Sequence, residues 1–516
     1  MGKQIKPIIG KFVIENLTVG MYDDPRCIYR EYVQNSADSI DKAVEASIVS
    51  KGEASIYIQI NEERRIIEFE DNGTGISQRH VAPLLQNIAQ SNKQIGREKG
   101  FRGIGRLGGL AYCEQLVFET SFKGEAVKSV MTWNAKKLKE IVANHAKKEE
   151  AAEVISSVTQ LLEEPEKADA HYFKVRLVDV TNDELLNEGD IKEYLRMVAP
   201  VSFDSHFTFR KKIYEELEQD GLQIDEYNVY VNGEAIYKGY TTQLYDENNG
   251  KRSKIGEVKD IQFFKEFDKR GQLLFWGWHS VSNIQNVRLK KVNKARGLRL
   301  RKDNIQIGDE ERLANLFRDS RFNFYVVGEV YATSPALIPN GRRDDFEDSP
   351  IFTEFKEKLK PVCNEIQKIS YDTSQISNAK KDLDDLQNFR LVLEEKQKEG
   401  VIDKEEVLKL ESQLEQKRER ALKGERTLNK FKEKIEENGD TLLGKVFKNV
   451  VKKGIPRVSE LDISFDEKNL VYRTDKLSKL SKAEKRVLSK VFGIIKNVLS
   501  NDLAENLIQK IEEDFK

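Results

Sequence analysis

Three polar side chains near the start of the chain share a spacing that could serve chemistry. In IYREYVQNSADSI, residues 28–40, Glu31, Asn35 and Asp38 stand at positions i, i+4 and i+7. On an α-helix this spacing places a carboxylate, an amide and a second carboxylate along one face. Such a face is typical of the solvated side of an amphipathic helix, but it also suits a binding or catalytic site. The helix alone leaves both alternatives open.

A further carboxylate, Asp71, closes a stretch that alternates like a strand. In RIIEFEDNGTGI, Ile67, Phe69 and Asp71 fall on one inward face, because successive side chains of a strand point to opposite sides. The Asn-Gly pair that follows is typical of a tight turn. A carboxylate directed inward at the end of a strand, just before Gly73 and Gly75, also favours a ligand site.

Glycines dominate a later segment, SNKQIGREKGFRGIGRLGGLAYC, which contains Gly103, Gly105 and Gly108. Glycine permits unusual φ angles and lets backbone N–H groups come close to a phosphate. The alternative is a flexible surface loop, because one Gly-x-Gly is weak evidence by itself. The segment ends in a helix-like stretch, whose N-terminal amides would add an anion site.

A helix and several strands are needed to hold these residues. Strand-like alternation in ASIYIQI and HYFKVRLVDV predicts a first domain that mixes α and β and closes near residue 182. Residues 136–168 are charged and rich in Ala and Glu, and they are predicted to form a helical surface insertion. The buried side of the first helix is predicted at helical spacing: Val33, Ala37, Ile40 and Val44.

Residues 183–372 alternate between predicted strands and helices and indicate a second α/β domain. Within it, residues 288–302, RLKKVNKARGLRLRK, hold eight basic residues and no acid. Arg299 and Arg301 share one face of a predicted strand and are expected at the surface or between domains. A basic strand of this kind is either solvated or in contact with phosphate.

The last part of the chain is predicted to be helical. Residues 377–437 carry a seven-residue apolar repeat that predicts a helical hairpin or short coiled coil, broken near Gly400. Residues 438–516 are predicted to form a helical C-terminal domain. Its apolar stripe, which includes Val487 and Ile494, suits ordinary core packing or a dimer seam.

Composition excludes several classes of protein. The 516 residues leave room for about three or four domains. The chain is 34% charged with a net charge of −1, so its overall charge does not indicate a nucleic-acid partner. Three separated cysteines predict neither a disulfide framework nor a zinc site. Without a membrane-length apolar run or a signal peptide in the sequence, we expect a cytoplasmic location.

The three motifs gain specificity from their order. Glu-x3-Asn-x2-Asp, then Asp-x-Gly-x-Gly, then the glycine-rich segment resemble the N, G1 and G2 boxes of the GHKL superfamily. That superfamily includes gyrase, the ninety-kilodalton heat shock protein, MutL, MORC-type ATPases and histidine kinases. The resemblance covers residues 12–182 by motif and extends more loosely to about residue 370. GFRGIGRLGGL and GLRLRKDNIQIGDE also resemble bacterial heat-shock-chaperone-like ATP-binding proteins.

The resemblance implies a fold and two small ligands. The fold is an α/β one: a two-layer α+β Bergerat-type ATPase sandwich, then an α/β transducer domain and a helical, coiled-coil C-terminal region. The ligands are ATP and Mg²⁺, and Asn35 is expected to offer its amide oxygen to the metal. Asp71 is expected to accept a hydrogen bond from the adenine amino group. The glycines expected to approach the nucleotide are Gly73, Gly75, Gly103, Gly105 and Gly108.

The remaining candidate residues concern hydrolysis. Glu31 is expected to orient or deprotonate the attacking water. Asp38 either supports the adenine end of the pocket or only forms hydrogen bonds on the helix face. A histidine kinase would need a phosphoacceptor His before the ATP domain, whereas the first histidine here is His80. Where relatives carry a Gly-Thr pair, this chain has Ala170 and His171, so that contact is not carried over.

Two functions fit these expectations. One is an ATP-gated, homodimeric clamp on a protein or DNA client, in which a transducer lysine contacts the γ-phosphate. Lys302 is the predicted lysine, because it ends the strand GLRLRK, where a loop could project it toward the nucleotide. The other is a non-catalytic, ATP-sensing module whose helical C-terminal half recruits a partner. The sequence does not distinguish a protein client from DNA.

Overall fold

A computed structural model shows the chain as two compact units, Met1–Gln367 and Lys368–Lys516. No helix in the described part of the chain is long and apolar enough to cross a bilayer. The structure describes residues 9–18, 24–88, 99, 104–282, 288–399, 404–438, 442–451, 454–461, 474, 477 and 479–515.

Eight strands form a mixed sheet in the first part of Met1–Gln367. They are β1 Ser55–Asn61, β2 Ile66–Asp71, β3 Gln115–Ser121, β4 Val127–Asn134, β5 Thr159–Pro165, β6 Tyr172–Val178, β7 Asn228–Val231 and β8 Glu234–Ala235. Their order is β5-β4-β3-β6-β2-β1-β7-β8. Neighbouring strands pair antiparallel except β1 and β7, which pair parallel.

Helices pack on this sheet through one hydrophobic core. The helices are α1 Phe12–Thr18, α2 Cys27–Glu45, α3 Gln78–Gln86, α4 Ala135–Ala143, α5 Ala151–Val158 and α6 Glu188–Val198, with 3-10 turns at Gly105–Ala111 and Asp183–Leu185. Tyr29 and Tyr32 of α2 meet Phe69 of β2, with ring centroids 5.1 and 4.7 Å apart. The predicted apolar side of α2 is buried at three positions: Val33, Ala37 and Ile40. The predicted α/β fold is confirmed.

Non-local pairing changes two expectations about this sheet. The predicted helical insertion, residues 136–168, is wrong for residues 159–165, which form β5 and pair with β4 at the sheet edge. β7 and β8 lie after residue 182 in the sequence, yet β7 joins the first sheet beside β1. The domain limits near residues 182 and 372 stay predictions.

A second sheet follows in the same unit. Its strands are β9 Gln243–Asn248, β10 Lys251–Phe267, β11 Leu273–Ser282, β12 Gly297–Lys302, β13 Ile305–Ile307 and β14 Val327–Ala332, in the order β13-β12-β14-β11-β10-β9. Helix α7 Arg210–Gln219 and 3-10 turns at Ala314–Leu316 and Ser320–Tyr325 accompany it.

The basic strand β12 corrects a sequence expectation. All six of its residues are buried. β12 lies inside the sheet between β13 and β14, its leucines belong to a hydrophobic core, and Arg301 on the opposite face contacts α6. A surface location for Arg299 and Arg301 is therefore wrong. Arg301 pairs with Glu329 of β14 and donates to the carbonyl of Met197 on α6 at 2.7 Å. The other expected location of these arginines is between domains, and the contact of Arg301 with α6 fits a position between the two sheet regions.

The division between the two units falls within the first helix of a helical region. The helices are α8 Pro350–Glu399, α9 Lys404–Asn438, α10 Leu442–Val450, α11 Val458–Leu461, α12 Lys482–Val498 and α13 Asn501–Asp514. α8 and α9 run antiparallel, since Leu393 packs with Val407 while Asp372 pairs with Lys434 at 3.3 Å. This is a hairpin, one of the two arrangements expected. The predicted break near Gly400 lies outside the described residues.

Candidate functional site

The polar face of α2 lies inside the protein. Glu31 and Asp38 are only 8% and 3% exposed, and Asn35 is half-buried. The alternative of a solvated face is therefore wrong. Buried carboxylates require partners, and the surrounding elements supply them.

A cavity of about 600 Å³ adjoins this face, a volume suited to a small-molecule ligand. Asn35 and Asp38 contribute from α2, and Gly75 contributes from the turn after β2. Basic groups are provided by Lys42 and Arg106. The apolar part of the wall is made by Ile76, Pro83, Leu84, Leu85, Phe122 and Phe173.

Asp71 is fully buried and is not itself a lining residue of the cavity, but its partner on the neighbouring strand β6, Phe173, is. Its Oδ1 accepts the N–H of Gly73 at 3.0 Å, whereas its Oδ2 has no hydrogen-bond partner among the described residues. Burial raises the pKa of Asp71 to about 7, against the lowering effect of Ser36, Gly73 and Ser39. An unsatisfied buried acceptor is costly. A ligand N–H placed here would remove that cost.

Two glycines let the turn after β2 pack closely. A Cβ at Gly73 would lie 2.1 Å from Ser39 Oγ, and one at Gly75 would lie 1.9 Å from the Ser121 carbonyl oxygen. Gly75 also has a φ of +64°, which side-chain-bearing residues rarely adopt. His171, which stands where relatives carry the Gly-Thr pair, contacts the Gly73 carbonyl through Nδ1 at 2.9 Å.

Glu31 occupies the other end of the polar face, against the 3-10 turn Gly105–Ala111. A Cβ at Gly105 would come within 2.4 Å of Glu31 Oε2. Arg30 donates from Nη2 to Glu31 Oε1 at 3.2 Å and to the carbonyl of Arg342 at 2.9 Å. Gly108 is buried in the same 3-10 turn, whereas Gly103 lies outside the described residues.

Arg343, between β14 and α8, reaches α2 from far along the chain. Its Nη2 donates to the carbonyl of Lys99, whose own N–H donates to Asp38 Oδ1 at 2.8 Å. Nη1 has no partner among the described residues, although Arg343 is buried. Burial lowers the pKa of Arg343, and the nearby Glu31 carboxylate opposes that effect. Arg343 is not among the candidate site residues predicted from the sequence. The sequence feature that could have indicated it is the arginine pair within Asn-Gly-Arg-Arg-Asp-Asp.

The predicted transducer lysine has a different environment. Lys302 ends β12 as expected, but its Nζ donates to the carbonyls of Thr333 and Ser334 at 3.3 and 3.0 Å. Burial lowers the pKa of Lys302, Asp303 raises it, and Arg343 lowers it further. A nucleotide contact by Lys302 stays a prediction.

Arg106 is a second residue that sequence reasoning missed. It lines the cavity, and its Nη2 donates to the carbonyl of Asn87 at 3.0 Å. Its Nε has no partner among the described residues, and burial lowers the pKa of the guanidinium to about 10. A cation in this position suits a phosphate group. Its signal in the sequence is an arginine directly after Gly105.

The class of the domain follows from comparison with known proteins. Residues 28–166 match the family described as histidine kinase-, DNA gyrase B-, and HSP90-like ATPase. This segment contains α2 from Ile28 onward, the Asp71 turn and the Gly105–Ala111 turn. It belongs to the GHKL superfamily, as its motifs predict, and to the HSP90-like branch.

The similar curated proteins include bacterial chaperones. The chain is 25% identical over 272 residues to the chaperone protein HtpG of Wigglesworthia glossinidia brevipalpis, covering 48% of this chain and 37% of that protein. It is 28% identical over 135 residues to HtpG of Psychrobacter arcticus, covering 23% and 21%. The chain thus spans about a third of the length of the Wigglesworthia protein and about a fifth of the length of the Psychrobacter protein.

The residues at the cavity fit the ligands that this superfamily implies. The unpartnered oxygen of Asp71 suits an amino donor, and Arg106 suits a phosphate. Asn35 lines the same cavity and carries an amide oxygen. The described residues contain no cluster of three metal-binding side chains. One protein oxygen together with phosphate oxygens and waters is a usual environment for Mg²⁺.

We expect adenine nucleotide affinity to depend on the ionisation of Asp71. The raised pKa means that the buried carboxyl is largely protonated below about pH 6 and charged above about pH 8. An amino donor favours the charged form, so affinity should rise about tenfold across that range. Asp71→Asn should weaken binding by about 1–3 kcal/mol and remove this rise. Calorimetric titration at several pH values measures both effects.

Inosine triphosphate, which lacks the amino group, provides the control for Asp71. It should bind the wild-type protein and Asp71→Asn with similar affinity. An equal loss for ATP and inosine triphosphate, or an unchanged ATP affinity in the variant, would contradict adenine recognition by this residue.

Proposed function

We propose that this chain binds ATP with Mg²⁺, hydrolyses it, and uses the nucleotide to close a dimeric clamp on a client. The observation that carries the proposal is the buried polar face of α2. One end of that face adjoins the cavity through Asn35 and Asp38. The other end holds Glu31, which Arg30 contacts directly, while Arg343 lies close enough to interact electrostatically.

Glu31 is the proposed general base. Arg30 holds its Oε1, so the carboxylate has a defined orientation beneath the Gly105–Ala111 turn. A positioned carboxylate accepts a proton from water as the nucleophile forms. Bound Mg²⁺ would neutralise phosphate charge and orient the triphosphate. Asp38 has a supporting role, since it accepts the N–H of Lys99 and thereby links α2 to Arg343.

Glu31→Gln should retain ATP affinity while its hydrolysis rate falls about 10²-fold or more, because the amide cannot accept the proton. Phosphate release at saturating ATP measures the rate, and calorimetry measures the affinity. Glu45→Gln, an exposed change at the end of the same helix, is the matched control. Equal turnover in Glu31→Gln and wild type would remove Glu31 from the mechanism. No turnover in the wild type would favour the non-catalytic module.

The second sheet region is proposed to sense the γ-phosphate. Arg343 suits this role better than Lys302, because its guanidinium has an unpartnered nitrogen and interacts electrostatically with Glu31 and Asp38. The Lys302 ammonium already donates to two carbonyls. A guanidinium also matches phosphate geometry through two parallel hydrogen bonds.

Arg343→Ala should slow ATP hydrolysis about tenfold or more while ADP affinity stays within about twofold, because ADP has no γ-phosphate to lose. Arg342→Ala is the matched control, since the backbone carbonyl that accepts from Arg30 remains. Lys302→Ala is measured in parallel. A selective loss of ATP turnover in Lys302→Ala, with none in Arg343→Ala, would return the role to the lysine.

The dimer is proposed to form through the last two helices. α12 exposes an apolar stripe at helical spacing, in which Ile494 and Val498 are 63% and 74% exposed. α13 adds Leu503 and Leu507, which are also exposed. A contiguous apolar surface of this kind favours association. A second copy of the chain can cover it by pairing the same surface about a two-fold axis.

Ile494→Glu should convert the dimer to a monomer, because the interface would have to bury an unpaired charge. Size-exclusion chromatography with light scattering reports the mass. Lys496→Glu, on the polar side of the same helix, should leave the mass unchanged. A wild-type mass equal to one chain, or a dimer that persists in Ile494→Glu, would contradict this interface.

The client is proposed to be a protein rather than DNA. The similar curated proteins are named chaperones, and the net charge of −1 gives no general attraction to nucleic acid. Hydrolysis would reopen the clamp after each cycle.

A further inference from the structure

A second cavity, separate from the one beside Asp71, has a volume of about 540 Å³. It lies among the start of α2, helix α6 and strands β12 and β13. Eight basic and six acidic side chains line it. We propose that this cavity, here called the arginine cavity, binds the phosphoryl group of a small molecule.

Arg299 of β12 is the residue on which this inference depends. It lines the arginine cavity and is only 4% exposed. Its Nη1 donates to Gln306 Oε1 at 3.0 Å and its Nη2 to the carbonyl of Lys294, both neutral acceptors. Its Nε has no partner among the described residues. Glu310 interacts with Arg299 electrostatically, but the Glu310 carboxylate accepts its hydrogen bond from Arg296. A buried cation whose hydrogen bonds all go to neutral acceptors is costly, so an anion would stabilise this site.

The charges around Arg299 favour an anion. Arg296, also buried, pairs with Glu310 at 3.3 Å, and Arg26 pairs with Asp24 at 2.9 Å. The other four acidic residues are exposed at the rim: Asp190, Glu193, Asp309 and Asp344. The inner wall is therefore positive.

Of the three buried arginines of the lining, Arg30 pairs with Glu31 and Arg296 with Glu310. Arg299 is left with neutral hydrogen-bond acceptors, so its positive charge is available to an anionic group such as a phosphoryl group.

The geometry also favours phosphate over a single carboxylate. Arginine side chains from two separate elements, α2 and β12, line one cavity, and guanidinium groups match the oxygens of a phosphate. The volume exceeds what one phosphate ion fills, so a phosphorylated molecule with an organic part would fit. Free phosphate and a phosphate monoester share this chemistry, and the two probes below distinguish them.

The arginine cavity is also connected to the proposed catalytic carboxylate. Arg30 lines it and donates to Glu31 Oε1 at 3.2 Å. Occupancy by a phosphoryl group should therefore alter the rate of ATP hydrolysis, an expectation that rests on the proposed function. The binding experiment requires neither ATP nor turnover.

Calorimetric titration of the full chain with inorganic phosphate, and separately with glycerol 3-phosphate, tests the proposal. We expect saturable binding of at least one probe to the wild type. Arg299→Gln should weaken it about tenfold or more, and Lys294→Gln, at the exposed rim, about threefold. Tighter binding of glycerol 3-phosphate would identify a monoester site, whereas equal binding would identify free phosphate as the ligand.

Arg318→Gln, an exposed change outside both cavities, is the matched control and should leave phosphate binding unchanged. Arg106→Gln tests the alternative site, because Arg106 lines the cavity beside the polar face of α2. Loss of phosphate binding in Arg106→Gln with none in Arg299→Gln would overturn the proposal, as would no saturable binding in the wild type. Circular dichroism checks that each variant is folded. If Arg299→Gln does not fold, Lys294→Gln decides, and an unchanged affinity in that variant overturns the proposal.

Discussion

Burying a carboxylate is unfavourable unless it gains hydrogen bonds or a cation, and much of Met1–Gln367 is arranged around three such groups. Glu31 is met by the guanidinium of Arg30, Asp38 by the backbone N–H of Lys99, and Asp71 by the backbone N–H of Gly73. The partners come from α2 itself, from a residue far along the chain and from the turn after β2. Satisfying these carboxylates therefore fixes several elements around α2.

Asp71 differs from the other two because its environment is incomplete. One of its oxygens lacks a partner in the described structure, and its pKa is raised to about 7 by burial. Such groups are retained where a ligand completes the hydrogen bonding. The same reasoning connects Arg299 with the arginine cavity, where a buried guanidinium has only neutral acceptors.

A second group of buried charges holds the two sheet regions together. Glu329 of β14 pairs with Arg301 and Lys238, and Tyr331 donates to it at 2.5 Å. Burial alone would raise the pKa of Glu329, but the two cations hold it at about 2. Because Arg301 also donates to Met197 of α6, this cluster links β12 to a helix of the first core.

Features that depend on local pattern could be predicted before the fold was known. Helical spacing predicted α2, strand alternation predicted β2 with Asp71 directed inward, and the order of the motifs indicated the GHKL superfamily. The turn after β2 packs so closely that it requires glycine at Gly73 and Gly75. The sequence shows these glycines directly, so they could be selected as candidates. The roles of Glu31 and Lys302 are predictions of the same kind, which the proposed variants test, and the role of Asn35 in binding Mg²⁺ stays a prediction.

Features that depend on contacts between distant parts of the chain became visible in the folded protein. Folding brought Arg343 to Lys99 and Asp38, buried Arg299, and placed β5 and β7 in the first sheet. Periodicity reports which face of an element is apolar, but it does not report which element covers the other face. The basic face of β12 therefore reads as solvated from the sequence until the element packed against it, α6, is known. An arginine in an irregular turn has no periodic pattern to reveal its partner.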